Sequence, residues 1–168
     1  MSNIFDLGGK VAIVTGANTG IGQAIALSLA AAGADIAAVG RTPAEETVEK
    51  VRALGRKAEI VSADLSSIEP VQRVVDETIA KLGGLDILIN NAGIIRRADS
   101  VDFTEEDWDA VIDTNLKSTF FLAQAAGRHM LAQGSGKIVN IASLLSFQGG
   151  IRVPSYTASK SGVAGLTK

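Results

Sequence analysis

Cysteine is absent from the 168 residues, and histidine occurs once, at His129. Without cysteine there is no disulfide and no thiolate metal site, and one imidazole cannot build a histidine-based zinc centre. The same scarcity argues against a Ser-His-Asp triad, so His129 is expected on the polar surface of a helix. Net charge is also low: 16 basic against 18 acidic residues give −2. That balance provides no electrostatic case for binding nucleic acid or an anionic membrane surface. Long apolar runs are missing too. The alanine-rich stretch 24–40 is broken by Gly33 and Asp35, which rules it out as a membrane span. The first residues, Met1-Ser2-Asn3-Ile4-Phe5-Asp6, lack the basic region and apolar core of a signal peptide, and a cytoplasmic location is the expectation. What is present is a chain of one-domain length with 46% hydrophobic residues, enough for a real core.

Tyrosine also occurs once, and its neighbourhood is the most informative feature of the chain. Tyr156 and Lys160 are four residues apart, with Ser143 upstream. Residues at i and i+4 share one face of a helix, so the spacing sets an ammonium beside a phenol. A nearby positive charge favours the phenolate, which makes a group that ordinarily titrates near ~10 usable as a proton donor or acceptor. Ser143 follows the apolar run Ile138-Val139-Asn140-Ile141 and reads as the tip of a strand, where a hydroxyl can hold a substrate oxygen. A tyrosine that merely packs a helix beside a solvated lysine matches the same short pattern, so the pair needs support from elsewhere.

That support lies near the other end of the chain. Lys10-Val11-Ala12-Ile13-Val14-Thr15 is an apolar run of buried parallel-strand type. It leads into Gly16-Ala17-Asn18-Thr19-Gly20-Ile21-Gly22 and then a segment with Ile21, Ile25 and Leu29 at helical spacing. Strand, glycine loop and helix together make a phosphate cradle: glycines permit the tight turn, and backbone amides meet a pyrophosphate at the positive end of the helix. Further strands are expected at 35–40, 58–62, 85–90 and 137–142. Between them, Thr42-Pro43-Ala44-Glu45 offers an N-cap, an N1 proline and a capping glutamate, with Gly55 as terminator. Ser66 and Glu69 repeat the capping box for a helix running to Leu82. Thr104 opens a helical region reaching about Gln133, as one helix or two in succession, in which Val111, Ile112, Leu116, Phe120 and Phe121 form a packing surface. Strand–helix alternation implies a parallel sheet with a ligand at the carboxyl ends of its strands. The glycine loop, Asp64, the pair Asn90-Asn91 and Ser143 all fall at such ends.

In this order the motifs resemble the short-chain dehydrogenase/reductase family: T-G-x-x-x-G-x-G at 15–22, Asp64-Leu65, N-N-A-G at 90–93, Asn115, Ser143 and Y-x-x-x-K at 156–160. The resemblance implies one dinucleotide-binding domain over 1–168, an α/β fold of Rossmann type with a doubly wound parallel sheet in three layers. It also implies roles. Tyr156 exchanges a proton with the substrate oxygen, Lys160 supports it and bonds the nicotinamide ribose, and Ser143 holds the substrate. Asn115 anchors a water relay, though a helix-kink asparagine bonded to backbone fits the same position. Gly16, Asn18, Gly20, Ile21 and Gly22 carry the pyrophosphate, Asp64 and Leu65 meet the adenine, and Asn91 flanks the ribose, unless Asn90-Asn91 is only a strand-ending turn.

Within the family, Ile94-Ile95-Arg96-Arg97 and 143–150 look like the bacterial 2-deoxy-D-gluconate 3-dehydrogenases and 2-keto-3-deoxygluconate 5-dehydrogenases, with 3-oxoacyl-carrier-protein reductases as the alternative. The implied substrate is a sugar acid whose carboxylate meets Arg96 or Arg97. The position that would carry an NAD-selecting acid holds Gly40, followed by Arg41. Arg41 suits a 2′-phosphate, whereas the implied subfamily and the uncharged Asn18-Thr19 favour NAD. The expectation is NAD, with NADP open. Family members are longer, so the last strands are expected beyond Lys168, leaving 137–142 a sheet edge. A non-catalytic nucleotide-binding fragment is the reading from another class. The resemblance also implies a homotetramer that uses 104–133 and the last helix at one interface.

Overall fold

The computed structural model describes residues 4–168. Its five strands, β1 (Val11–Thr15), β2 (Asp35–Gly40), β3 (Ala58–Ser62), β4 (Ile87–Asn90) and β5 (Lys137–Asn140), form one sheet in the order β3-β2-β1-β4-β5. Every neighbouring pair is parallel. The chain steps outward from β1 to β3, then returns to place β4 on the other side of β1. That reversal opens a crevice at the carboxyl ends of β1 and β4, where such sheets bind ligands.

The strands are packed between two helical layers, as the apolar runs predict. Val11 and Ile13 of β1, with Ala37 and Val39 of β2, meet the helices α3 (Val71–Leu82) and α5 (Ser118–Gln133) through Val74, Val75, Leu122 and Ala126. The alternate residues Ala12, Val14, Ile36 and Ala38 face α1 (Gly20–Ala31) and α2 (Glu45–Ala53) through Ala26, Ala30, Val48 and Val51. β5 is the sheet edge that was expected, with Ile138 36% and Val139 46% exposed. No helix of the described residues is long and apolar enough to cross a membrane.

Four local expectations differ from what forms. The helix expected to start at Ser66 begins at Val71, because Glu69 precedes Pro70 and a residue before proline is driven out of the helical region. Asp64 takes the Ser66 N–H at 2.9 Å instead, and the stretch is a turn. Thr42 does not cap α2, which starts at Glu45 after Ala44. There Glu45 and Glu46 complement the helix's positive end without a side-chain cap, while Gly55 ends the helix at φ +76° as predicted. On α1 the buried face is Gly22, Ala26 and Ala30, leaving Ile21 66% exposed. Small residues let this helix approach the sheet closely, and Ile25 and Leu29 pack partly buried beside them. Finally, His129 is half-buried, with Nε2 enclosed and without a hydrogen-bond partner. It sits one turn from the buried Ala125 and Ala126 of α5 rather than on a polar surface.

Thr104 does cap the long helical region, its hydroxyl accepting from Asp107 N at 3.2 Å. The region comprises α4 (Glu105–Ile112), a π-helical turn (Asp113–Lys117) and α5. Ser118 Oγ donates to Thr114 O at 2.6 Å and Thr119 Oγ1 to Asn115 O at 2.9 Å, so hydroxyls take up the carbonyls that the wider turn frees. π-turns of this kind concentrate at functional sites.

Candidate active site

The glycine loop is fixed from three sides. Gly16 lies at φ +66°, in the left-handed region. A Cβ on Gly22 would fall 2.1 Å from Gly16 O, so the first turn of α1 rests directly on the loop. From β4, Asn91 Nδ2 donates to Thr15 O, and the N–H groups of Asn91 and Ala92 donate to Thr15 Oγ1, all at 2.9 Å. From α2, the fully buried Thr47 donates to Ala17 O at 2.7 Å and accepts from Gln23 Nε2 at 3.0 Å. Thr15 is the first residue of the glycine motif, but Thr47 was not singled out in the sequence, where a threonine inside a helix is the only signal it leaves.

A cleft of about 310 Å³ runs along the carboxyl ends of four strands. Gly16 and Asn18 line it after β1, Gly40, Arg41 and Thr42 after β2, Asp64 and Leu65 after β3, and Gly93 and Ile94 after β4. The expected cofactor residues Gly16, Asn18, Arg41, Asp64 and Leu65 are thus brought together. Gly20, Ile21, Gly22 and Asn91 do not line the cleft, and Gly20 and Ile21 are exposed to solvent. Thr42, Ser66 and Thr114 line the cleft as well; the sequence marked the first two only as helix caps and Thr114 not at all. Asp64 is held below the usual carboxylate range chiefly by the Ser66 N–H, with the Arg41 guanidinium 3.9 Å away adding a little.

Tyr156 and Lys160 lie on α6 (Pro154–Leu166), and the expected geometry forms. Lys160 Nζ sits 5.8 Å from the centroid of the Tyr156 ring and donates to Ile141 O at 2.6 Å. Lys160 is only 4% exposed, and burial lowers its pKa from the ordinary value near 10.5. The sign follows by linkage. Between the lowered folded value and the unfolded one, the unfolded state binds more protons, so this lysine's contribution to stability rises with pH. We therefore expect the Tm of the unaltered protein to gain on that of Lys160→Met as pH is raised through the alkaline range. Melting curves of both proteins in parallel check it, and a constant difference would contradict it.

Ser143 caps a short 3₁₀ turn (Leu144–Ser146), its hydroxyl accepting from Leu145 N at 3.2 Å. Because that bond uses a lone pair, the O–H is left to donate elsewhere. Ser146, which was not anticipated, ties this turn to α6: its Oγ accepts from Ser143 N at 3.2 Å and donates to Lys160 O at 2.7 Å. Asn115 lies in the π-turn, 1% exposed. Its Oδ1 accepts from Ile94 N at 2.8 Å, and its Nδ2 donates to Ile94 O at 2.9 Å and Ser159 Oγ at 3.3 Å. These bonds pin the segment after β4 to α6. Gly93 joins the two halves of the site. It lines the cleft, and a Cβ there would stand 3.3 Å from Asn115 Oδ1 and 3.8 Å from Lys160 Nζ. Of the two arginines weighed for substrate, Arg96 lines the cleft and pairs with Asp107 at 3.0 Å, while Arg97 is exposed and makes no ion pair among the described residues.

A doubly wound parallel sheet with a glycine loop at its switch point, opening beside a tyrosine–lysine pair, defines a fold of Rossmann type. The family is settled by comparison: residues 10–168 match the model for short chain dehydrogenases, and the chain belongs to that family. It is 56% identical over 165 residues to the 2-dehydro-3-deoxy-D-gluconate 5-dehydrogenase of Escherichia coli, an alignment covering 98% of this chain and 65% of that one. The chain therefore spans about two thirds of the length of this relative. A structure from Agrobacterium tumefaciens, described as a 2-deoxy-d-gluconate 3-dehydrogenase with bound NADP, superposes with TM-score 0.90 at 55% identity, over 99% of this chain and 66% of that one. A short-chain alcohol dehydrogenase structure from Sinorhizobium meliloti superposes with TM-score 0.96 at 46% identity, over 98% and 66%.

Proposed function

We propose that this protein is an NADP- or NAD-dependent oxidoreductase that interconverts a secondary alcohol and a ketone on a deoxy sugar acid of the 2-dehydro-3-deoxygluconate type. The observation that carries this reading is Gly93, whose Cα edge borders both the dinucleotide cleft and the buried Lys160 ammonium. The residues fit the dinucleotide, since the space beside Gly22 admits no Cβ and the loop is locked by Asn91 and Thr47. Bound there, the dinucleotide supplies or accepts the hydride. Tyr156 exchanges the proton with the substrate oxygen, and the Lys160 ammonium favours its charged form. Ser143 donates its free O–H to the same oxygen and stabilises charge developing on it. Asn115 acts through Ile94 and Ser159, keeping Gly93 against Lys160. The substrate carboxylate meets Arg96, which lines the cleft while paired with Asp107, or its exposed neighbour Arg97.

For the cofactor, the expectation of NAD finds no support, because the Agrobacterium relative is described with NADP. No acid follows β2, and Arg41 faces the cleft. We assign Arg41 to the 2′-phosphate. Arg41→Ala is expected to raise KM for the phosphorylated dinucleotide about tenfold, the scale of one charged hydrogen bond, and to leave KM for NADH within about twofold. Equal changes for both dinucleotides would remove Arg41 from cofactor choice. The exposed face carrying Phe120 and Leu131, 42% and 84% exposed, suits assembly with further copies of the chain, and a cytoplasmic location accords with the bacterial relatives. The substrate is tested by offering a keto sugar acid and a 3-oxoacyl thioester with reduced dinucleotide. Turnover of the first alone supports the reading, and turnover of the thioester alone would replace it with an acyl reductase.

A further inference from the structure

Two segments leave the carboxyl ends of neighbouring strands and flank the Tyr156 helix: residues 91–99 after β4 and 141–153 after β5. They meet at Arg152. Its carbonyl accepts from Ala98 N at 3.2 Å, and its Nε lies 2.9 Å from Asp99 Oδ1. Arg152 is also the one non-glycine residue at positive φ among the described residues, at +61°. A side chain in that region is strained, and such strain persists only where the surroundings over-determine it, most often at functional sites.

The surroundings are visible on both sides of it. Just before, a Cβ on Gly150 would fall 2.6 Å from Val153 Cγ2 and 2.7 Å from Leu145 Cδ1, so the chain is pinned as it enters. Just after, Val153 is buried and precedes the first residue of α6, its carbonyl accepting from Thr157 N at 3.0 Å. Tyr156 is three residues further on. The path from Asp99 to Tyr156 therefore runs through one ion pair, one strained residue and one turn of helix. The pair's side chains are 59% and 65% exposed, and pairs that open to water add little to stability. Stability does not account for a strained residue held at this place.

We propose that Asp99 and Arg152 are positioning residues: their ion pair straps the segment after β4 to the start of α6 and sets where the Tyr156 ring stands over Lys160. The positional part rests on geometry alone, and its effect on rate rests on the oxidoreductase reading above.

Glycine tolerates φ +61° without strain, so Arg152→Gly removes the pair while keeping the backbone. Asp99→Asn removes it from the other side, and the exchange Asp99→Arg with Arg152→Asp rebuilds it reversed, with an aspartate tolerated in the left-handed region. Because Tyr156 is the only tyrosine, a sample with ¹³C-labelled tyrosine gives one set of ring signals that needs no substrate. The expected result is a displaced or broadened ring signal in both single variants and a fall in kcat of about tenfold. Dinucleotide affinity and Tm should be unchanged, and the exchanged pair should recover much of both readouts. An unmoved ring signal in Arg152→Gly, or a loss of Tm and dinucleotide affinity in proportion to kcat, would overturn the proposal. A displaced ring signal in a protein whose unaltered form reduces no ketone would still support the strap, while rejecting the oxidoreductase reading.

Discussion

Tyr156→Phe should lower turnover by roughly 10³-fold, within the range that one positioned acid–base group supplies, while dinucleotide affinity stays within about twofold. The phenol oxygen is the one atom removed. The ring keeps its place 5.8 Å from Lys160 Nζ, and Lys160 keeps its bond to Ile141 O, because neither involves the hydroxyl. The contrast between lost rate and retained binding distinguishes an enzyme from a nucleotide-binding module. Steady-state rates with a keto sugar acid, set beside fluorescence titration with reduced dinucleotide, measure both quantities. Retained turnover would move the proton transfer elsewhere. Failure of both rate and binding would mean that the hydroxyl holds the fold of the site instead.

Gly22→Ala has the opposite signature. Its added methyl would stand 2.1 Å from Gly16 O and 2.6 Å from Asn91 Nδ2, too close for either to remain. The first of these is backbone, so the loop itself must shift, and with it the N–H groups that would meet a pyrophosphate. We expect dinucleotide affinity to fall about 100-fold and the overpacking to cost about 1–3 kcal/mol, seen as a Tm lowered by roughly 2–12 °C. Gly127→Ala is the control. It lies within α5 with nothing within 4 Å of the added methyl, and alanine is the better helix former there, so Tm should hold or rise. A Gly22→Ala protein that binds dinucleotide normally would mean that the loop is not the phosphate cradle.

What the sequence made legible was whatever depends on local pattern. Apolar strand runs gave all five strands within two or three residues, since buried parallel strands are continuous in hydrophobicity. The i, i+4 spacing placed Lys160 beside Tyr156, since a helix has one geometry. Less legible were features decided by competition between partners. The capping pattern at Ser66 and Glu69 was sound taken alone, but Pro70 and the Asp64 carboxylate overrode it. Of Ile21, Ile25 and Leu29 at helical spacing, the last two pack against the core, yet the helix buries its glycine and alanines deepest and leaves Ile21 exposed, because close approach at Gly22 decides its rotation. The π-turn around Asn115, the Thr47 bond to the glycine loop and the strap at Arg152 depend on residues 21, 30 and 53 positions away. No window along the chain contains them.

If the cleft and the Tyr156 cluster are one site, a crystal structure of the protein grown with NADP will show a single ligand spanning both. We predict the pyrophosphate over the loop 16–22, the 2′-phosphate toward Arg41, and the nicotinamide passing Gly93. Its C4 should then come within about 3–5 Å of the position where a substrate carbon would bond to an oxygen held by Ser143 and Tyr156. A dinucleotide bound with its nicotinamide end turned away from Tyr156, or bound outside the cleft, would contradict the claim.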